Sequence, residues 1–323
     1  MFRYPMTKKV LAFGELLWDL FPDGPVLGGA PSNFACRLQA LGCDVSLVSR
    51  VGCDERGREA LSRIAGLGLD TRFIQSDPDH PTGVVEVTVK PGGFPDYRIA
   101  VDTAYDGIEP SPELLKLAAR MDAICFGTLA QRSPRSRRTL QDLLSAAPGA
   151  LKFFDVNFRQ NFYSLDSLAE SLDQTDLLKV NEDEARVLLS LFGLAPSGLP
   201  EAAACFVRRW ELTACVVTLG DRGALAVGRE GEAVYEPGYK VSLVDSCGAG
   251  DAFSAGFLHE FMAGRNLDRC CALGNALGAI VSTQKGATEP VAWEGIAALI
   301  EGSNPRVNDA DLAPLRSGAD VKS

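Results

Sequence analysis

Val244-Asp245-Ser246-Cys247-Gly248-Ala249-Gly250-Asp251-Ala252-Phe253 runs directly into the helical stretch SAGFLHEFMAG at 254–264. Small residues packed before a helix leave its first backbone N–H groups unblocked and converging on one spot. Together with the positive end of the helix dipole they form a site for anionic charge. A carboxylate at such a corner repels a phosphate, so Asp251 is out of place as a phosphate ligand. It makes sense as the acceptor of a proton from a hydroxyl that attacks phosphorus, assistance worth roughly 10²–10⁴ in rate. The amides and the dipole would then stabilise charge spreading over the transferred phosphoryl oxygens. The alternative reading of the same residues is a tight turn with Asp251 as a helix N-cap.

Outward from this corner, short apolar runs alternate with helix-period stretches along nearly the whole chain. The pattern predicts strands at Val10–Phe13, Val45–Val51, Ala123–Thr128, Leu151–Val156 and Cys215–Thr218. Helices are predicted near 31–41, 56–66, 112–120, 134–146, 167–174, 200–210, 251–263, 268–283 and 292–301. Pro31 suits the first turn of its helix and Gly42 the position just past its end. Buried strands alternating with helices imply an α/β fold whose mostly parallel sheet is covered on both faces. Thr82 to Val101, TGVVEVTVKPGGFPDYRIAV, breaks the rhythm. Two alternating strands around a Gly/Pro-rich connection read as a hairpin, either a sheet edge or a lid. From Gly302 onward the chain is polar and irregular, a surface wrap or a loose tail. It shows no internal repeat, low-complexity tract or obvious linker.

The 323 residues are 46% hydrophobic and 23% charged, with a mean hydropathy of +0.04, a globular profile. No apolar run reaches the ~18 residues of a membrane span, and Met1 to Val10 lacks the apolar core of a secretion signal, so a cytoplasmic protein is expected. A net charge of −10 argues against nucleic-acid binding. The nine cysteines include no CxxC pair and read as small buried thiols rather than metal ligands. His80 and His259 show no metal spacing.

The 244–253 segment resembles the C-terminal signature D-T-x-G-A-G-D of the ribokinase-like (PfkB) carbohydrate kinases, with Ser246 in place of the threonine. The N-terminal signature is similar too, in GELLWDLFPDG at 14–24, LGGAPSNFACRLQALG at 27–42 and VSLVSRVGCDERG at 45–57. The resemblance covers residues 9 to about 300. Within the family the chain is most similar to the fructokinase branch, through LGGAPSNFA, AYDGI at 104–108, GTLAQRSPRSRRTL at 127–140, DVNFRQNFY at 155–163 and KVNEDEA at 179–185.

The resemblance implies a three-layer α/β/α ribokinase-like fold in a single kinase domain spanning 1–323, with a small β lid from about 15–30 and 82–103. It implies Asp251 as catalytic base and Gly248, Ala249 and Gly250 as the anion hole. Asp19, Gly28, Gly29 and Asn33 match sugar-binding positions. Their chemistry agrees, since a carboxylate accepts hydroxyl protons, an amide both donates and accepts, and Gly29 lets a ring approach the backbone. Asn181 and Glu184 match an N-x-x-E motif implied to organise Mg²⁺, Glu184 through water, which suits an ion that dehydrates reluctantly; on their own they read as a helix cap and an acidic turn. Thr218, Gly220 and Gly223, in TLGDRG, match the loop against ATP, and Asn275 a position near the adenine. Asp245 and the carbonyls of 283–288 resemble a K⁺ site. Arg132 and Arg159 stand at ends of predicted strands, where α/β folds place ligands, and would meet the sugar or phosphoryl group or else pair structurally.

An ATP-dependent fructokinase is therefore expected, with a 2-keto-3-deoxygluconate kinase as the rival, to which Arg98 on the hairpin gives weight as a carboxylate holder. From another class, a non-catalytic sugar-binding regulator would need a damaged GAGD corner, which is intact. A Rossmann oxidoreductase would need G-x-G-x-x-G after the first strand, and a Walker NTPase G-x-x-x-x-G-K-[ST]; neither occurs. An exposed lid edge leaves a homodimer open.

Overall fold

Lys9–Phe13 (β1) is an apolar run with every residue after Lys9 buried, and it lies inside a nine-stranded, mostly parallel sheet. The computed structural model describes residues 7–89 and 95–316, so the expectations for Met1–Met6, for the hairpin connection 90–94 and for the tail 317–323 lie outside the described residues. The chain divides into two compact units, residues 7–150 with 158–167 and residues 151–157 with 168 onward.

In the first unit, β1 is followed by β2 (Leu17–Phe21), β3 (Gly24–Gly28), α1 (Ala30–Ala40), β4 (Asp44–Gly52), α2 (Glu55–Gly66), β5 (Ile74–Asp77), β6 (Gly83–Val89), β7 (Pro95–Ile99), α3 (Pro112–Ala118), β8 (Ala123–Phe126) and α4 (Pro134–Ala146). β1 pairs parallel with β4 and with β8, and β4 parallel with β5. All four residues of β8 are buried, the continuous apolar run of a strand covered on both faces. Pro31 stands in the first turn of α1 as expected. β6 and β7 form the expected hairpin, but they do not extend the parallel sheet. They join β2 and β3 in a separate four-stranded sheet, in the order β3-β2-β6-β7.

The second unit holds β9 (Leu151–Asp155), α5 (Leu165–Leu172, which begins in the first unit), β10 (Leu177–Asn181), α6 (Glu182–Leu191), α7 (Leu199–Arg209), β11 (Ala214–Thr218), β12 (Ala224–Gly228), β13 (Ala233–Glu236), β14 (Gly238–Tyr239), α8 (Ala249–Met262), α9 (Leu267–Val281), α10 (Trp293–Glu301) and β15 (Arg306–Val307). β9, β10 and β11 are parallel; β12 and β13 continue the sheet antiparallel. The strand order of the nine-stranded sheet is β13-β12-β11-β10-β9-β8-β1-β4-β5. Helices α7 and α9 both pack on β12. The expected helices are present within about two residues at most ends, while α6, β10 and β12 are additions to the sequence reading. Helices α8 and α9 approach closely because Gly256 faces the Leu273 backbone and Gly274 faces Phe253, where a Cβ would come within 3.0 Å or less of its neighbour.

Of the expected wrap or loose tail, residues 303–316 are a wrap, since β15 pairs antiparallel with β14. Of the cysteines, Cys36, Cys43, Cys125, Cys215, Cys270 and Cys271 are buried and Cys53 is exposed, all as free thiols. Among the described residues, no helix is long and apolar enough to cross a membrane.

Candidate active site

In the second unit the GAGD corner begins α8. Gly248 is the N-cap, in the left-handed region at φ 75°, with its Cα against Ala287, where a Cβ would stand 2.3 Å from that methyl. Glycine is therefore required by conformation and by space. Asp251 is the third residue of the helix and is 9% exposed; the N-cap role, the alternative reading of this turn, belongs to Gly248 instead. The amide of Ala249 donates to the Ser246 carbonyl at 3.2 Å. Among the described residues no acceptor takes the amides of Gly248 and Gly250, so two of the three expected main-chain donors stay open for an anion. Asp245 accepts from the amides of Cys247 (2.9 Å) and Gly286 (3.1 Å), tying the loop before α8 to the 283–288 segment expected beside a cation.

A cavity of about 720 Å³ brings together the nucleotide-side expectations other than Glu184, which is not in its wall. Asn181, Thr218, Gly220, Gly223, Asn275, Ala249 and Gly250, drawn from four separate stretches of sequence, all line it. Its wall also includes Tyr239, Lys240, Leu243 and Val307, which sequence reasoning missed because none belongs to a motif. Asn275 is 8% exposed, and its Nδ2 donates to the carbonyls of Glu236 (2.9 Å) and Pro237 (3.3 Å). Its amide group thus holds the corner between β13 and β14.

The N-x-x-E motif is a reciprocal capping box. Asn181 Oδ1 accepts from the Glu184 amide at 2.9 Å, and Glu184 Oε2 accepts from the Asn181 amide at 2.7 Å. Both orphan donors at the start of α6 are satisfied, and a carboxylate only 5% exposed is locked in one orientation. The cap read from sequence is thus real, and it leaves a fixed acidic group whose second oxygen is not committed to the box.

Lys179, also missed, lies in the middle of β10 with its side chain 6% exposed. Its Nζ donates to Asp155 Oδ1 at 2.9 Å, and Ser254 Oγ on α8 donates to Asp155 Oδ2 at 2.7 Å. A Cβ on Gly250 would stand 3.4 Å from that ammonium. Burial alone would lower the Lys179 pKa, but the carboxylates of Asp155, Glu184 and Asp251 outweigh it and hold the group above its ordinary value. The signal was a lysine in an apolar strand immediately before N-x-x-E.

The first unit carries the sugar-side expectations. Gly29 precedes α1 at φ 112°, where a Cβ would strike the Glu15 carbonyl at 2.3 Å. Asp19 on β2 lies over Gly28, where a Cβ would be 2.3 Å from its Oδ2. Ser32 Oγ donates to the carbonyls of Gly28 and Gly29, and the Asn33 amide donates to Gly29 O. Asn33 is 4% exposed. The structure thus places Asp19, Gly28, Gly29 and Asn33 along one short path from β2 and β3 into α1. Arg132 settles on the structural side of its two readings: it grips Asp106 through Nε and Nη2 at 2.7 and 2.8 Å, between the rings of Tyr105 and Phe162. Arg159 is exposed and donates to the Phe158 carbonyl.

The pfkB family carbohydrate kinase model matches residues 24–294 of the chain. The fructokinase of Klebsiella pneumoniae is 30% identical over 87% of this chain and 95% of its own length. The 2-dehydro-3-deoxygalactonokinase of Haloferax volcanii is 28% identical over 94% of this chain and 100% of its own. A sugar kinase of Pyrococcus horikoshii, solved in complex with ATP, superposes with a TM-score of 0.74 at 26% identity, covering 90% of this chain and 99% of that one.

Proposed function

Because the chain belongs to the pfkB family of carbohydrate kinases and is an ATP-dependent sugar kinase, we propose that its acceptor is fructose and its product fructose 6-phosphate. The observation that carries the chemistry is the convergence of the α8 N-terminus with Asn181, Thr218, Gly220, Gly223 and Asn275 on one cavity, which fits a nucleoside triphosphate. In this reading Asp251 takes the proton of the terminal hydroxyl. The hydroxyl oxygen forms the new bond to the γ-phosphorus, and the bond from that phosphorus to the β–γ bridging oxygen breaks, releasing ADP. The open amides of Gly248 and Gly250 and the α8 dipole stabilise the charge on the phosphoryl oxygens.

Glu184, buried and locked by its capping box, is a single fixed carboxylate of the kind that suits Mg²⁺ held largely through water and phosphate oxygens. When bound, Mg²⁺ would neutralise charge on the triphosphate. Asp245 and the main chain of 283–288 are assigned to a K⁺ on the resemblance alone. Asp19, Gly28, Gly29, Asn33 and Arg159 are assigned to the sugar, and the small β sheet of the first unit to a lid.

A neutral ketose is favoured over a sugar acid by the pairing of Arg98. It stands opposite Glu86 in the β6–β7 register, with their charged groups 3.7 Å apart, so the cation offered to a carboxylate is already offset. The Haloferax relative supports the rival reading of a 2-keto-3-deoxy sugar acid. A coupled ADP-release assay over hexoses, pentoses, nucleosides and 2-keto-3-deoxygluconate tests the assignment. Fructose should give the highest kcat/KM; a lead for the sugar acid establishes the rival, and a lead for ribose or a nucleoside overturns both.

A further inference from the structure

The chain after α10 meets the proposed nucleotide cavity at two places. Gly238 and Tyr239 of β14 pair antiparallel with Val307 and Arg306 of β15, and the Lys240 amide donates to the Pro305 carbonyl at 2.9 Å. Val307 itself lines the cavity. Arg306 donates through Nη1 to the Pro237 carbonyl at 2.9 Å, pairs through Nη2 with the Glu236 carboxylate, and stacks 3.7 Å above the Tyr239 ring. Asn275 donates to the Glu236 main-chain carbonyl and to the same Pro237 carbonyl, so the corner between β13 and β14 is held from α9 on one side and from β15 on the other.

The second attachment is at the TLGDRG loop. Arg222 bridges Asp309 and Glu182, and Glu182 opens the helix that carries the capping box. Tyr235 Oη donates to the Arg222 carbonyl at 2.7 Å and accepts from the Asp309 amide at 2.7 Å. Loop and corner also touch directly, because Gly223 leaves no room for a Cβ, which would fall 2.1 Å from the Glu236 carbonyl.

We propose that residues 305–309 are a working part of the nucleotide site, a strap that sets its affinity by fixing the corner 236–239 through Arg306 and the loop 218–223 through Asp309. This rests on reading the cavity as the ATP site. Arg306 and Asp309 are positioning residues, and Val307 is wall. Without the strap, both loops would lose an anchor, the nucleotide would have to complete their ordering, and the entropy of doing so would weaken binding. The chemistry at Asp251 would be untouched once ATP is bound.

The test compares Arg306→Met, Asp309→Asn and Val307→Trp with Gly223→Val as reference, each assayed well below its own Tm. Arg306→Met and Asp309→Asn should raise the KM for ATP about tenfold, with kcat at saturating ATP and the KM for sugar within twofold. Arg306→Lys, which keeps the charge, should recover part of the loss. Val307→Trp narrows the cavity without breaking the clamps and should raise the Kd for ADP, measured by calorimetry. If Gly223→Val raises the KM for ATP while all three strap variants fold and leave nucleotide binding unchanged, the strap is wrong and the cavity assignment stands. If Gly223→Val is silent as well, the cavity assignment falls and the strap with it.

Discussion

Lys179 and Asp155 form a buried ion pair at 2.9 Å, and Ser254, one helical turn beyond Asp251, closes it by donating to the other Asp155 oxygen. The pair ties β9 and β10 to the helix that presents the GAGD corner, and the ammonium stays charged against burial because three carboxylates surround it. A buried pair is expensive to break from one side, since the partner is left charged and unpaired, at a cost of about 3–5 kcal/mol. Lys179→Met should therefore destabilise the protein by about that amount in urea unfolding. Lys179→Met with Asp155→Leu should recover most of the stability, because an apolar replacement of both partners is often neutral. Turnover should not recover, as the cation beside Gly250 is still missing. A double variant with near wild-type kcat would reduce the pair to a structural brace.

Asp251→Asn keeps the shape of the side chain and removes its basicity. The expected loss in kcat is about 10²–10⁴-fold, the usual worth of general-base assistance, with the Kd for ATP within a few-fold. Retention of more than about a tenth of kcat would remove Asp251 as the base.

Much of this corner was legible in the sequence because the geometry is local. Gly248, Ala249 and Gly250 are adjacent, and a left-handed glycine before a helix is a short-range signal. The same holds for α4, expected at 134–146 and found there, with Ser133 as its cap and Pro134 in its first turn. What escaped depends on partners far away in the chain. β15 is two residues long and exists through its pairing with β14, nearly seventy positions earlier. β12, ALAVG, is too small and too short to announce itself, yet every residue is buried. β10 hid because Lys179 interrupts its apolar run, and the ion pair that makes a lysine tolerable there is supplied by β9. Asn181 and Glu184 read on their own as a cap and an acidic turn, and a metal role for them came from the resemblance.

Those two roles of Glu184 separate by substitution. Glu184→Gln retains an oxygen for the Asn181 amide, so stability should change by less than about 0.5 kcal/mol, whereas Glu184→Ala loses the cap and about 0.5–2 kcal/mol. Both should raise the Mg²⁺ concentration for half-maximal rate, by about tenfold, if the carboxylate anchors the ion. A magnesium titration in which Glu184→Gln matches the wild type would leave the motif as a cap only.

Asp77 gives the first unit a defined acid limb. Burial alone would raise its carboxyl, but the amides of Asp79 and His80, together with the Arg50 guanidinium, outweigh that and hold it below the usual carboxylate range. The His80 ring also lies 3.1 Å from Oδ2. A depressed folded pKa contributes stability that is fully present above the unfolded value, about 3.9, and is lost as pH falls through the lower folded value. Wild-type stability should therefore be insensitive to this group at neutral pH and should decline below about pH 4. Asp77→Asn should be less stable at pH 7, by about 1.5–3 kcal/mol for charged hydrogen bonds lost, and should show a shallower decline in acid. Parallel acid limbs for the two proteins, measured by urea unfolding from pH 3 to 7, would show that Asp77 does not set the slope.

Gly28→Ala probes the sugar-side residues without removing any of their polar atoms. A Cβ at this position would sit 2.3 Å from Asp19 Oδ2 and 3.4 Å from the Leu17 side chain, so the carboxylate is the atom that must move. The main chain at Gly28 is not in the left-handed region, so the substitution adds bulk without strain in φ. If Asp19 accepts sugar hydroxyls, displacing it by about an ångström should raise the KM for the sugar at least tenfold, since misplacement on that scale is enough to lose about 10²-fold in rate. The KM for ATP should stay within twofold. Asp19→Asn should show the same selectivity with the carboxylate in place but its charge gone. An unchanged sugar KM in both variants, with folded protein confirmed by Tm, would take Asp19 and Gly28 out of the acceptor site.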